Sequence, residues 1–160
     1  MSENKLFGEA LKKIFRYLSF RQRSKKEVFE YLQKKGYGKN LISEVIEYLE
    51  SSQLVDDHKF AEEWIFNRSK KGNGSYKLRH ELRNKGIDNT IIENTLISCL
   101  SEEQEYQVAK SLIEKKLMKR DLKEDKTRFW NRVTLYLKGR GYSYALVEKL
   151  IKEFHDSYSD

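Results

Sequence analysis

Apolar residues along this chain recur at helical spacing, and no alternating run competes with them as a strand signal. Val28, Tyr31 and Leu32 make an i, i+3, i+4 stripe before Gly36, and Leu41, Ile42, Val45, Ile46 and Leu49 make a broader one after it. The phrase returns twice. Val28, Leu78 and Val133 stand eight residues before Gly36, Gly86 and Gly141, and Leu32, Leu82 and Leu137 stand four before them. Tyr37, Ile87 and Tyr142 follow directly. The pairs Leu41/Ile42, Ile91/Ile92 and Leu146/Val147 come five and six residues on, and Val45/Ile46, Thr95/Leu96 and Leu150/Ile151 nine and ten.

Each phrase predicts a helix, a glycine turn and a second helix. The glycine suits the left-handed conformation that ends the first helix, and the apolar residue after it folds back onto that helix. Asp88 and Ser143 stand where the following helix needs an N-cap, and Ser24 with Glu27 forms a capping box ahead of the first phrase. A further helical pattern precedes each pair: Leu11, Ile14 and Phe15; Ala61, Trp64 and Ile65; Ala109, Leu112 and Ile113. Leu11 to Gly36 and Ala61 to Gly86 both span 25 residues, whereas Ala109 to Gly141 spans 32. The seven extra residues are expected in a longer loop within "KKLMKRDLKEDKT". The predicted fold is all-α, an elongated array of three tandem three-helix repeats at residues 1–55, 56–100 and 101–160, each burying a small core and stacking on its neighbour.

Composition agrees with this picture. With 38% hydrophobic and 36% charged residues in 160, charged faces of amphipathic helices account for the polarity, and the absence of proline lets helices run uninterrupted. The opening "MSENKLFGEALKKIF" has charges inside its apolar pattern, unlike a signal peptide, and no run is long enough to span a membrane, so a cytoplasmic protein is expected. The single cysteine, Cys99, shares a helix face with Ile92 and Leu96 and is expected buried and inert.

Charge placement is more informative than the net value of +7. From Trp64 to Gly86, Arg68, Lys70, Lys71, Lys77, Arg79, Arg83 and Lys85 face Glu81 alone, and Arg128, Arg132, Lys138 and Arg140 belong to a second basic stretch. "RQRSKK", with Arg21 and Arg23, is the counterpart in the first repeat. The helices after the glycines are acidic: Glu44, Glu47, Glu50, Asp56 and Asp57 occur between Ser43 and Asp57 without a lysine or arginine. Basic segments at one position in successive repeats predict a positive stripe and a long, acidic partner. The same polarity argues against a helix-turn-helix DNA reader, because the helix that would enter the major groove is acidic.

No catalytic constellation emerges. His58, His80 and His155 lack metal-ligand spacing, there is no CxxC, and "RSKKGNGS" lacks a P-loop ending, so no metal or cofactor is expected. Asp56 and Asp57 could pass for paired catalytic carboxylates, but their place ahead of "HKFAEEWIF" makes one of them an N-cap. Phe60, Trp64, Trp130 and Tyr136 lie on or beside apolar stripes and are expected to pack in cores rather than stack on bases. A non-enzymatic protein is expected.

The run "SFRQRSKKEVFEYLQKKGY", followed by "LVDDHKFAEEWIFNRSKKGNGSYKLRHELRNKGID", resembles the RecX family of regulatory proteins. The resemblance rests on Arg21, Arg23 and Ser24; on Leu54, Asp56, Asp57, Phe60 and Ala61; and on Arg68, Gly72, Gly74, Leu82, Gly86 and Ile87. "YLKGRGYSYALVEKLI" is similar to that family's third repeat, so the likeness covers almost the whole chain. It implies a modulator of the recombinase RecA that lies in the helical groove of the RecA-DNA filament, limiting filament growth and damping strand exchange and the coprotease function of the SOS response. The expected partner-binding residues are Arg21, Arg23, Arg68, Lys70, Lys71, Lys77, Arg79, Arg83, Lys85, Arg128, Arg132, Lys138 and Arg140. The alternatives are a sequence-independent binder of single- or double-stranded DNA using the same stripe, and a helical adaptor for another acidic protein. A monomer is expected.

Overall fold

The computed structural model describes residues 2–158, and the described chain is helical throughout. Its helices are α1 (Glu3–Leu18), α2 (Lys25–Lys34), α3 (Lys39–Ser51), α4 (Asp57–Lys70), α5 (Ser75–Asn84), α6 (Asn89–Cys99), α7 (Glu102–Met118), α8 (Lys126–Gly139) and α9 (Tyr144–Ser157). Every apolar stripe lies on one of them.

The three glycine turns form for the expected reason. Gly36, Gly86 and Gly141 have φ of 89°, 76° and 90°, the left-handed region that a side chain resists. In each, the N–H of the apolar residue after the glycine donates to the carbonyl four residues before the glycine: Tyr37 to Leu32, Ile87 to Leu82 and Tyr142 to Leu137, at 3.2, 3.1 and 3.3 Å. These bonds satisfy orphan carbonyls at the ends of α2, α5 and α8 and bring the following helix back beside the first. Gly72, with φ 91°, ends α4 in the same way.

Two units describe the chain: residues 1–62 with 82–92, and residues 63–81 with 93–160. In the first, α1, α2 and α3 enclose Ile14, Val28, Leu32, Ile42, Val45 and Leu49, all fully buried. In the second, α7, α8 and α9 enclose Ile113, Phe129, Val133, Leu137, Val147 and Leu150. Each such side chain contributes about 1.5–3 kcal/mol on burial, the main stabilising term of these small cores. Phe15 departs from expectation: it is 44% exposed, and Ala10 takes the buried position beside Ile14.

The seven extra residues of the last triplet are not all loop. Ala109 lies nine residues before the end of α7, as Ala61 does before the end of α4. The linker 119–125 has three residues more than the linker 71–74, and the other four form an added first turn of α8. Asp125 caps that turn, its carboxylate accepting the Arg128 N–H at 2.9 Å.

Candidate functional site

The basic side chains are positioned by two joints of the same design. In the first unit, the start of α2 meets the turn that ends α5. The Ser24 hydroxyl donates to the Lys85 carbonyl at 2.7 Å, Lys26 Nζ donates to the Asn84 carbonyl at 3.1 Å, and the stem of Lys26 crosses Gly86. In the second unit, the start of α5 meets the turn that ends α8. The Gly74 N–H donates to the Arg140 carbonyl at 2.8 Å, and the Tyr76 N–H donates to the Gly141 carbonyl at 3.0 Å.

A carboxylate completes each joint. Asp57, the first residue of α4, accepts the Lys25 N–H at 3.0 Å, and Glu105 of α7 accepts the Ser75 N–H at 2.7 Å. Each anion satisfies an orphan donor and faces the positive end of a helix dipole. The sequence pattern placed helix caps inside each repeat and missed these caps supplied from further along the chain. The aspartates therefore divide their labour. Asp56 caps its own helix through the N–H groups of His58 and Lys59, while Asp57 caps α2, which leaves no catalytic pair. Burial pushes the Asp57 carboxyl up, partly offset by the Lys25 N–H.

The expected partner-binding cations fall into two groups. Arg21, Arg68, Arg79, Lys85 and Arg132 are held in ion pairs. Arg21 and Lys85 both grip Glu27, whose side chain is 9% exposed. Burial alone would raise the Glu27 carboxyl, but hydrogen bonds from Arg21, Lys85 and the Ser24 N–H outweigh it and hold the group at about 2. Arg79 makes a two-pronged contact with Glu93 at 2.6 and 3.0 Å. Arg68 lies 3.9 Å from Glu81, which also accepts the Trp64 indole N–H, and Arg132 meets Glu124 at 2.7 Å.

One of these pairs joins a basic middle helix to the acidic helix that follows it, α5 to α6. Arg79 and Glu93 stand seven residues either side of Gly86, and Arg83 and Asn89, bonded at 2.9 Å, stand three either side. A glycine turn that lays two helices side by side brings equidistant residues together, so the signal was present in the numbering.

The rest of the set has no carboxylate within ion-pair distance among the described residues. Lys70, Lys71, Arg83, Arg128 and Lys138 are exposed, and Arg23, Lys77 and Arg140 are half-buried. Arg23 lies 3.8 Å from the Tyr17 ring centroid, Lys70 3.7 Å from Phe66 and Lys138 4.6 Å from Tyr144. Arg140 donates to the Lys71 carbonyl at 3.2 Å and lies 3.4 Å from the Asn73 side-chain oxygen. Thus Arg21 and Lys85 converge on Glu27 in the first unit, while in the second Arg140 holds the Lys71 carbonyl and the backbone and Cβ of Lys77 lie against Gly141.

Of the aromatics expected in cores, Phe60 and Trp130 are buried, while Trp64 and Tyr136 are half-buried and carry cations on their rings. Cys99 is half-buried rather than buried, because it is the last residue of α6, where the helix face gives way to the link to α7. Among the described residues no group of His, Cys, Asp and Glu could hold a metal, and no helix is long and apolar enough to cross a membrane.

The family description "RecX, first three-helix domain" matches residues 10–49, and "RecX, second three-helix domain" matches residues 56–96. The regulatory protein RecX of Bacillus pumilus is 33% identical over 159 residues, covering 96% of this chain and 60% of that protein. That of Mycobacterium leprae is 31% identical, covering 85% of this chain and 80% of its own. The crystal structure of RecX from Lactobacillus salivarius superposes with a TM-score of 0.78 at 28% identity, over 94% of this chain and 95% of that one. A crystal structure of regulatory protein RecX with 24% identity and a TM-score of 0.80 covers 94% and 73% and shares the fold. This chain spans 60% of the length of the Bacillus pumilus relative.

Proposed function

Since the chain belongs to the RecX family, we propose that it is a non-enzymatic regulator of the RecA recombinase, binding in the groove of the RecA-DNA filament and inhibiting its activities. The observation that carries this reading beyond family membership is the set of cations with no carboxylate in ion-pair distance among the described residues, Lys70, Lys71, Lys77, Arg128 and Lys138 among them, on the helices and links outside the acidic α3 and α6. Charges already satisfied inside the chain add little to a partner. Uncompensated ones steer encounter with an acidic surface and set register on it. The joint that seats Lys77 against Gly141 and ties the Lys71 carbonyl to Arg140 orders this stretch of backbone before any partner arrives.

The test measures RecA-driven ATP hydrolysis on single-stranded DNA with added protein. Reversing Lys70, Lys71 and Lys77 to glutamate should weaken inhibition at least tenfold, since like charges brought together across an interface cost several kcal/mol. Reversing the exposed Glu44 and Glu47 to lysine should leave inhibition intact. Circular dichroism checks that both variants fold. Inhibition lost with the acidic reversals and kept with the basic ones would put the binding surface on the opposite face. A parent protein without effect on RecA would end the proposal.

A further inference from the structure

The three repeats treat one pair of positions differently. Seven residues before and seven after the turn glycine stand Phe29 and Ser43 in the first, Arg79 and Glu93 in the second, and Thr134 and Glu148 in the third. The α8–α9 turn keeps the register of the α5–α6 turn: three residues either side of the glycine, Arg83 meets Asn89, and the Lys138 ammonium lies 4.6 Å from the Tyr144 ring centroid. Thr134 and Glu148 accordingly line one groove.

Two of the repeats fill this place with a large side chain. Phe29 is half-buried and packs against the core of α1, α2 and α3, with a serine rather than a carboxylate at the partner position. Arg79 lays its guanidinium on both oxygens of Glu93 at 2.6 and 3.0 Å. The third repeat keeps the carboxylate and loses the arginine. Thr134 is too short to cross, and its hydroxyl is committed to the Trp130 carbonyl at 2.9 Å. Glu148 has no cation within ion-pair distance among the described residues, although Lys138 and Lys152 line the same groove.

The space that Thr134 does not fill is about 370 Å³ between α8 and α9, with Val147, buried, and Ile151, half-buried, in its lining. A carboxylate beside an apolar strip suits an arginine better than a lysine. The planar fork takes both carboxylate oxygens at once while the stem covers apolar surface, whereas an ammonium is a single, strongly hydrated point charge. An arginine within a polypeptide brings only the stem and the fork. Free arginine adds an ammonium and a carboxylate, for which Val147 and Ile151 offer no partners.

We infer that the α8–α9 groove receives an arginine side chain from a partner polypeptide, its guanidinium on the Glu148 carboxylate and its stem on Val147 and Ile151, in the manner of Arg79 on Glu93. The RecA reading uses cations of this chain and this site uses an anion, so the two stand independently and the site is tested without RecA.

The experiment titrates the ¹⁵N-labelled whole protein with the peptide acetyl-Ala-Arg-Ala-amide and follows its amide signals by NMR. Those of Thr134, Val147, Glu148 and Ile151 should move saturably, with a dissociation constant in the millimolar range that a one-residue contact allows. The same peptide with citrulline, which keeps the shape without the charge, should bind about three- to fivefold more weakly, the range open to an exposed ion pair. Glu148→Gln, at an exposed position, should cause the same loss with the arginine peptide. Lys152→Gln should tighten binding, since it removes a cation that lies one turn from Glu148. Thr134→Arg supplies the arginine from within: it should close the groove to the peptide and raise the urea midpoint, and the rise should vanish when Glu148→Gln is added. Undiminished shifts in Glu148→Gln, or a Thr134→Arg variant that binds as the parent does or gains no stability, would overturn the site. Free arginine binding as tightly as the peptide would make the ligand an amino acid and overturn the assignment to a polypeptide. Sedimentation that shows a dimer for the parent and a monomer for Thr134→Arg would put the arginine on a second copy of this chain and overturn the assignment to a different partner.

Discussion

A Cβ placed on Gly74 would lie 2.6 Å from both the carbonyl carbon and the oxygen of Gly141, so the two glycines meet backbone to backbone. Gly74 thus answers to space alone, whereas Gly141 answers both to its own positive φ and to Lys77, whose backbone and Cβ stand where its side chain would go. Gly74→Ala should destabilise the protein by about 1–3 kcal/mol, the usual range for overpacking a closed contact. Urea denaturation measures it, and an unchanged midpoint would mean that the start of α5 does not seat on the Gly141 turn.

Gly36 and Gly86 form an internal comparison. Both have positive φ, but a Cβ on Gly36 meets nothing within 4 Å, while one on Gly86 meets Lys26 Cβ at 2.6 Å and Cδ at 2.7 Å. Alanine at either position should lose about 1–2 kcal/mol to the left-handed conformation. Gly86→Ala should lose more, because the Lys26 stem must also move, and the difference between the two denaturation midpoints isolates the joint. Equal losses would show that backbone strain alone matters at these turns.

Glu27 gives the first joint a pH dependence of definite sign. Its carboxyl is held at about 2 against an ordinary value of 4.5, so its contribution is fully present above 4.5 and is lost as pH falls through about 2. The shift corresponds to about 3 kcal/mol at neutral pH and to about 1 kcal/mol near pH 3. Glu27→Gln should therefore destabilise the protein strongly at pH 7 and much less at pH 3. Asp57 works the other way, since a raised carboxyl gains stability as pH falls, so the comparison must be made between variant and parent at each pH. A gap that does not shrink in acid would contradict the ion-pair account.

The Arg79–Glu93 pair predicts a coupling. Both side chains are partly exposed, which limits the interaction to about 0.5–1 kcal/mol. A double-mutant cycle with Arg79→Ala and Glu93→Ala should return that value, and exchanging the two residues for one another should recover part of the stability that Arg79→Glu alone loses. Additive single losses would show that the pair is not maintained in solution.

The helices, their order and their glycine turns were legible in the chain because each rests on local chemistry. A stripe at helical period, a hydroxyl or carboxylate at an N-cap and a glycine at a left-handed position act within a few residues of one another, so Val28, Ser24 and Gly36 announce their roles without the rest of the fold. Ion pairing across a turn was encoded just as locally, in the equal spacing of Arg79 and Glu93 about Gly86, although charge counting alone did not reveal it. The packed chain decided what depends on residues far apart in sequence. Asp57 caps a helix that begins 32 residues earlier, Glu105 caps one that begins 30 earlier, and Gly74 yields its side chain to Gly141. The same applies to charge. Whether a lysine or arginine is spent on a carboxylate, as Lys85 is on Glu27, or has none within ion-pair distance among the described residues, as with Lys71 and Arg140, depends on which helices cross. Electrostatic attraction is set by distance in space, and composition along the chain carries no record of it.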